Sequence, residues 1–154
     1  MARIGIIGAG NIGGALARHF SGAGHDVAVS NSRGPETLTD LVTELGDGAR
    51  AGTPAEAAEF GDIVVVSVPL FRYREVPAEA LAGKIVIDTN NYYPSRDGQF
   101  AQLDEDSVTS SELVAAHLSG ARVVKAFNQI AAARLAGDAL PAGDARRTAI
   151  PIAG

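Results

Sequence analysis

An α/β fold, a parallel sheet with helices on both faces, is predicted by three observations on this 154-residue sequence. Short apolar runs alternate with amphipathic helical patterns along the whole chain. The first run, Arg3-Ile-Gly-Ile-Ile7, leads into a glycine turn, and a helical pattern follows at once. A later run, Asp62-Ile-Val-Val-Val-Ser-Val68, is dominated by β-branched residues, as a central strand buried on both faces requires.

Each element has its own signal. After a helix over about Ile12 to Gly22, His25-Asp-Val-Ala-Val-Ser30 reads as the second strand. Pro35 then sits at a first helical position, and Leu38, Leu41, Val42 and Leu45 share one face. A short strand near Ala49 to Ala51 precedes Thr53-Pro-Ala-Glu56, a capping box with proline at its first helical position. Pro69 ends the central strand. A short helix is expected over Val76 to Leu81, then the strand Lys84 to Asp88, then a turn-rich loop from Asn90 to Gly98. Thr109-Ser-Ser-Glu112 caps a helix to about Leu118, Ala121 to Phe127 is a strand, and Ile130 to Leu135 a helix. A last strand is expected over Thr148 to Ile152. With right-handed crossovers this is a Rossmann arrangement, ligand bound at the carboxyl ends of the strands. The chain stops at Gly154, where a helix covering the last strand is expected, so truncation or a core completed by another subunit is anticipated.

Composition narrows the class. A length of 154 residues suits one domain with a real core, and residues 1–154 read as a single Rossmann domain. Hydrophobic residues make up 46% and charged residues 20%, values of a globular protein. The absence of cysteine removes disulfides and thiolate metal sites, and fits a cytoplasmic location. No secretory signal is evident, and the longest apolar run, Ile63 to Leu70, is far too short to span a membrane. A net charge of -5 with scattered Lys and Arg argues against nucleic acid as a partner.

The glycines at 8, 10 and 13 have the G-x-G-x-x-G spacing of a dinucleotide site. Gly8 permits the tight turn, Gly10 lets backbone approach a pyrophosphate, and Gly13 lets helix pack on strand. The N–H groups near Asn11 and Ile12 would face the phosphates, aided by the helix dipole. At the end of the second strand an NAD site carries Asp or Glu for the ribose 2′-hydroxyl. Here Ser30-Asn31-Ser32-Arg33 stands instead, with no carboxylate. Hydroxyls and a guanidinium suit a 2′-phosphate, so NADP is the expected cofactor.

Other residues at strand ends complete the expected cleft. Ser67, Val68 and Pro69 follow the central strand and either hold the nicotinamide ribose by backbone groups or simply end a hydrophobic strand. Tyr92 and Tyr93 either stack on a flat substrate or anchor their loop. Asn128 either hydrogen-bonds a carboxamide or bound ring, or is a satisfied buried residue. His19, His25 and His117 read as packing or dipole-complementing residues, and no metal-ligand spacing or Ser/His/Asp set is evident. That emptiness suits hydride transfer, which needs two rings at the right distance and little acid–base help.

With Gly8 to Gly14, Ser30 to Arg33, Ser67 to Pro69, Asp88 to Pro94 and Val124-Lys-Ala-Phe-Asn128 in hand, the chain resembles the coenzyme F420-dependent NADP oxidoreductases. It is also similar to the reductase domain of the STEAP metalloreductases, which share a Lys-Ala-Phe-Asn strand end. The resemblance covers essentially the whole chain. It implies hydride exchange between NADPH and a deazaflavin (coenzyme F420) or flavin, in a homodimer. It also implies that Ser32 and Arg33 hold the 2′-phosphate, Asn11 and Ile12 the pyrophosphate, and that Asn128 to Ala131, with Ile130, lies near the deazaflavin. Archaeal members carry histidine in place of Asn128, and members run further at the C-terminus, where the tail helps build the deazaflavin pocket and the dimer. Two other functions stay open: a non-catalytic NADPH-binding or sensor domain, and a reductase of a small imine or keto substrate.

Overall fold

The computed structural model describes Met1–Gly154. Seven strands form one sheet in the order β3-β2-β1-β4-β5-β6-β7. They are β1 (Arg3–Ile7), β2 (Asp26–Ser30), β3 (Ala49–Ala51), β4 (Ile63–Val66), β5 (Ile85–Asp88), β6 (Arg122–Ala126) and β7 (Ile152–Ala153). The first six are parallel; β7 pairs antiparallel with β6 at the edge. The helices are α1 (Asn11–Gly22), α2 (Thr39–Leu45), α3 (Pro54–Phe60), α4 (Pro94–Asp97), α5 (Ala101–Asp104), α6 (Ser110–His117) and α7 (Ala132–Gly137).

Alternation along the central strands divides the core into two layers. Ile4, Ile6, Val27, Val29 and Val65 face α1 and Leu135 of α7. Ile7, Ala28, Val64, Val66 and Val86 face α3 and α6. Val64, Val65 and Val66 have no exposed surface, so β4 is buried on both faces as its β-branched run requires. The capping boxes at Thr53 and Thr109 both form, each threonine accepting from the backbone N–H of the glutamate three residues on.

Four expectations are corrected. The helix expected over Val76 to Leu81 is reduced to a three-residue 3₁₀ turn, Glu79–Leu81, and a separate 3₁₀ turn, Leu70–Glu75, precedes the span. Pro77 forces Val76 to extended backbone, with ψ 129°, and a helix cannot pass that point. The last strand is only Ile152–Ala153, and it runs antiparallel. Pro151, lacking an N–H, precedes it, and the stretch from Thr148 forms no ladder. The helix after Pro35 begins as a 3₁₀ turn, Pro35–Leu38, before α2. The loop after β5 holds the helical turn α4. No helix is long and apolar enough to cross a membrane.

Candidate functional site

The carboxyl ends of the six parallel strands open on one edge of the sheet, and the strand order reverses between β1 and β4. A crevice forms at such a switch point. One half, about 260 Å³, is walled by Ile7–Gly10, Asn31–Arg33 and Ser67–Pro69. The other, about 610 Å³, lies between Gly10–Ile12, Thr89–Asn91 and Phe127–Ala132, with Tyr93 and Arg96 at its side. Ser67, Val68 and Pro69 border both halves.

The glycine turn is fixed by close backbone approach. Gly8 has φ +101°, and a Cβ there would stand 2.2 Å from the Ser67 carbonyl oxygen. A Cβ at Gly13 would stand 2.1 Å from the Gly8 oxygen. Gly10 differs: a Cβ there would meet nothing within 4 Å, so the space above it belongs to the crevice. Gly10 is also the N-cap of α1, and no side chain caps that end. The N–H groups of Asn11, Ile12 and Gly13 have no acceptor within the helix, and the helix dipole adds positive potential. Open space over Gly10 beside free donors fits a pyrophosphate.

The end of β2 divides its work residue by residue. Ser30 is fully buried and its hydroxyl donates to the Ile6 carbonyl at 3.1 Å, so it offers no hydroxyl to the crevice. This corrects the expectation of a phosphate contact there. Its own carbonyl accepts from the N–H groups of Gly8 and Ala9, at 3.0 and 2.9 Å, and locks the turn. Asn31 shapes the next turn, its Oδ1 accepting from the N–H groups of Arg33 and Gly34. Ser32 and Arg33 are exposed on the wall of the smaller half, and no carboxylate pairs with Arg33.

The larger half rests on a buried network. Parallel register sets Asp88 beside Lys125, and their charges meet at 3.1 Å with the Asp88 side chain wholly buried. Asp88 Oδ1 accepts from the Asn90 N–H at 2.9 Å, and Lys125 also donates to the Asn90 carbonyl. Asn90 Oδ1 accepts from the Val68 N–H at 3.0 Å, tying the end of β5 to the end of β4. One polar atom is left without a partner, Asn90 Nδ2. Phe127, at φ +61°, turns the chain out of β6. Asn128 and Ile130 then line the crevice, and the Asn128 carbonyl accepts from Asn91 Nδ2 at 2.7 Å.

The loop from Asn90 to Gly98 is held by Asp97. Its side chain is fully buried and accepts from Arg96 Nε at 2.8 Å and from the Tyr93 N–H at 2.8 Å. Burial pushes the Asp97 carboxyl up. Hydrogen bonds from Arg96 and Tyr93 and the nearby Arg96 charge outweigh that and hold it below the usual range. Tyr92 points into the protein, its hydroxyl 2.7 Å from Asp104 Oδ1 and its ring edge-on to Phe100. Burial and the Asp104 contact push its phenol up.

The three histidines lie away from both halves of the crevice. His19 meets the Leu135 carbonyl, His25 accepts from the Ala2 N–H, and His117 meets the Val76 carbonyl. Two features of the crevice had weak sequence signals. Arg72 and Glu75, an ion pair on the wall of the smaller half, follow Pro69, where a helix was not expected. The Asp88–Lys125 pair was announced only by a charged residue at or near the end of each of two apolar strands.

A doubly wound α/β sheet with a glycine turn at its switch point and a crevice along its carboxyl edge defines a dinucleotide-binding domain. The family model described as "NADP oxidoreductase coenzyme F420-dependent" matches residues 3–92. The chain belongs to that family. It is 31% identical over 132 residues to the metalloreductase STEAP3 of Rattus norvegicus, covering 84% of this chain and 25% of that protein. A solved structure of a Sinorhizobium meliloti protein superposes with a TM-score of 0.75 at 34% identity, covering 90% of this chain and 67% of that one. An Arthrobacter protein superposes with a TM-score of 0.75 at 23% identity, covering 87% and 66%, and shows the shared fold. The chain therefore spans about a quarter of the rat metalloreductase it matches.

Proposed function

We propose that this domain binds NADP(H) and serves hydride exchange between it and a deazaflavin, coenzyme F420, or a flavin. The observation that carries the reading is Arg33, exposed on the crevice wall at the end of β2 without a carboxylate partner. An NAD site needs a carboxylate acceptor at this point, whereas a 2′-phosphate needs fixed positive charge. Ser32 and Arg33 would hold that phosphate. Gly10 and the N–H groups of Asn11, Ile12 and Gly13 would hold the pyrophosphate, while Gly8 shapes the turn. Backbone groups at Ser67, Val68 and Pro69 would border the nicotinamide ribose, and Asn128 and Ile130 would lie beside the nicotinamide or its partner ring.

The two bound rings would supply the redox chemistry, and the protein's share is orientation. The larger half holds no histidine, and the two buried carboxylates that anchor it, Asp88 and Asp97, are paired with Lys125 and Arg96. Side chains there can position rings and exclude water without moving protons. A homodimer acting on small-molecule cofactors in the cytoplasm is part of the same reading.

Mixing the protein with NADPH and coenzyme F420 and following absorbance tests it: oxidation of NADPH with reduction of the deazaflavin is expected. Absence of exchange with F420 and with FMN, by a protein that binds NADPH tightly, would favour a non-catalytic binding domain. Cofactor choice has its own test. Arg33→Ala is expected to weaken NADPH binding by about 1–3 kcal/mol, the range of a charge-assisted hydrogen bond, with NADH little affected. Equal losses for both nucleotides would show that Arg33 does not read the phosphate.

A further inference from the structure

The two tyrosines of the loop after β5 differ in a way that assigns one of them to a ligand. Tyr92 has its hydroxyl and ring engaged by Asp104, Gly98 and Phe100, and is half-buried. Tyr93 is 50% exposed and borders the larger half of the crevice. An exposed aromatic ring costs contact with water, and a mobile one would lose entropy on binding anything. Tyr93 is not free to move in that way. Its N–H is held by Asp97, and the helical turn α4 begins at the next residue. The Arg96 guanidinium lies over its ring at 4.9 Å from the centroid. Arg96 is itself fixed, by both oxygens of Asp97 and by the Asn91 carbonyl at 2.8 Å.

We propose that Tyr93, backed by Arg96, is the stacking platform for the planar ring of the second substrate. The inference rests on the hydride-exchange reading above and gives that substrate a seat. One side of the tyrosine ring carries a cation, which draws electron density and favours stacking with another π-system. The charge of Arg96 is already balanced by the buried Asp97 carboxylate. The platform thus selects for a flat heteroaromatic ring and not for an anionic group. Tyr93 lines the same crevice half as Asn128 and Ile130, the residues read above as lying beside the nicotinamide or its partner ring.

The test is a titration of riboflavin and of coenzyme F420 onto the protein saturated with NADP⁺, read by quenching of ring fluorescence. Tyr93→Leu is expected to weaken both by about tenfold, the loss of one aromatic stack and its covered area. Tyr93→Phe keeps the ring and is expected to bind as the parent does. NADP⁺ affinity and far-ultraviolet circular dichroism are expected to be unchanged in both variants, which separates lost stacking from lost folding. Rings that bind Tyr93→Leu as tightly as the parent would overturn the platform alone. Rings that fail to bind the parent protein would overturn the platform and the deazaflavin or flavin reading together.

Discussion

The two halves of the crevice are built on opposite principles. The glycine turn of the first half is made of backbone: missing side chains, free N–H groups and carbonyls that leave no room for a Cβ at Gly8 or Gly13. The half around Asp88 to Asn128 is made of side chains that reach one another across strands, through an ion pair and a run of asparagines. A backbone site is fixed once a few glycines are in place, and its chemistry is that of any phosphate cradle. A side-chain site depends on partners that are distant in sequence, and it can be re-specified by exchanging them. The first half suits a ligand common to many proteins, and the second suits one particular to this protein.

The largest way to break this contrast is to remove the cation under the second half. In Lys125→Met the Asp88 carboxylate stays buried with no opposite charge, and a loss of about 3–5 kcal/mol is expected in urea unfolding. Asp88→Asn combined with Lys125→Met should recover most of it, because no buried charge remains. The exposed pair Arg3–Asp62, with about half of each side chain in water, sets the scale. Arg3→Ala is expected to move the urea midpoint far less than Lys125→Met, because water screens the exposed pair. If Lys125→Met costs as little as Arg3→Ala, the second half is not held by its ion pair.

The first half should break differently at its first two glycines. Gly8→Ala puts a side chain at φ +101° and against the Ser67 oxygen, so about 2–3 kcal/mol of stability should be lost. Gly10→Ala meets open space and should cost less than about 1 kcal/mol. Both should weaken NADPH, the first through the turn and the second by filling the room a pyrophosphate needs. Equal stability with equal loss of binding in the two variants would mean that Gly8 has no special part in the turn.

The same contrast explains what was readable in the sequence. The glycine spacing, the buried strand β4 and the two capping boxes are local signals, each complete within a few residues, and the structure contains all of them. Ser30 misled because its type suits a phosphate, while its position, the last residue of a central strand, turns the hydroxyl back onto Ile6. The Asp88–Lys125 pair and the Val68–Asn90 bond join residues 37 and 22 positions apart, and only strand order and register bring them together. Val76 to Leu81 has helical apolar content, and one proline overrides it.

The smallest expected effect sharpens the comparison through acid. The loop that presents Tyr93 hangs on the Asp97 carboxylate, whereas the glycine turn is held by backbone groups that do not titrate. Asp97 is held below its ordinary value of 3.8 in the folded protein. A carboxyl with a lowered folded value binds fewer protons folded than unfolded, so it stabilises above its ordinary value. That contribution is lost as pH falls from about the ordinary value through the lower folded one. The Tyr93 amide, which donates to Asp97, should therefore shift in ¹H–¹⁵N spectra with a midpoint below 3.8, while the Gly8 and Ala9 amides stay in place over the same interval. Asp97→Asn should abolish the Tyr93 titration. A Tyr93 amide that titrates at or above the ordinary carboxyl value would show that Arg96 and the loop backbone do not stabilise the Asp97 charge, and the rigid support of the Tyr93 ring would have to come from elsewhere.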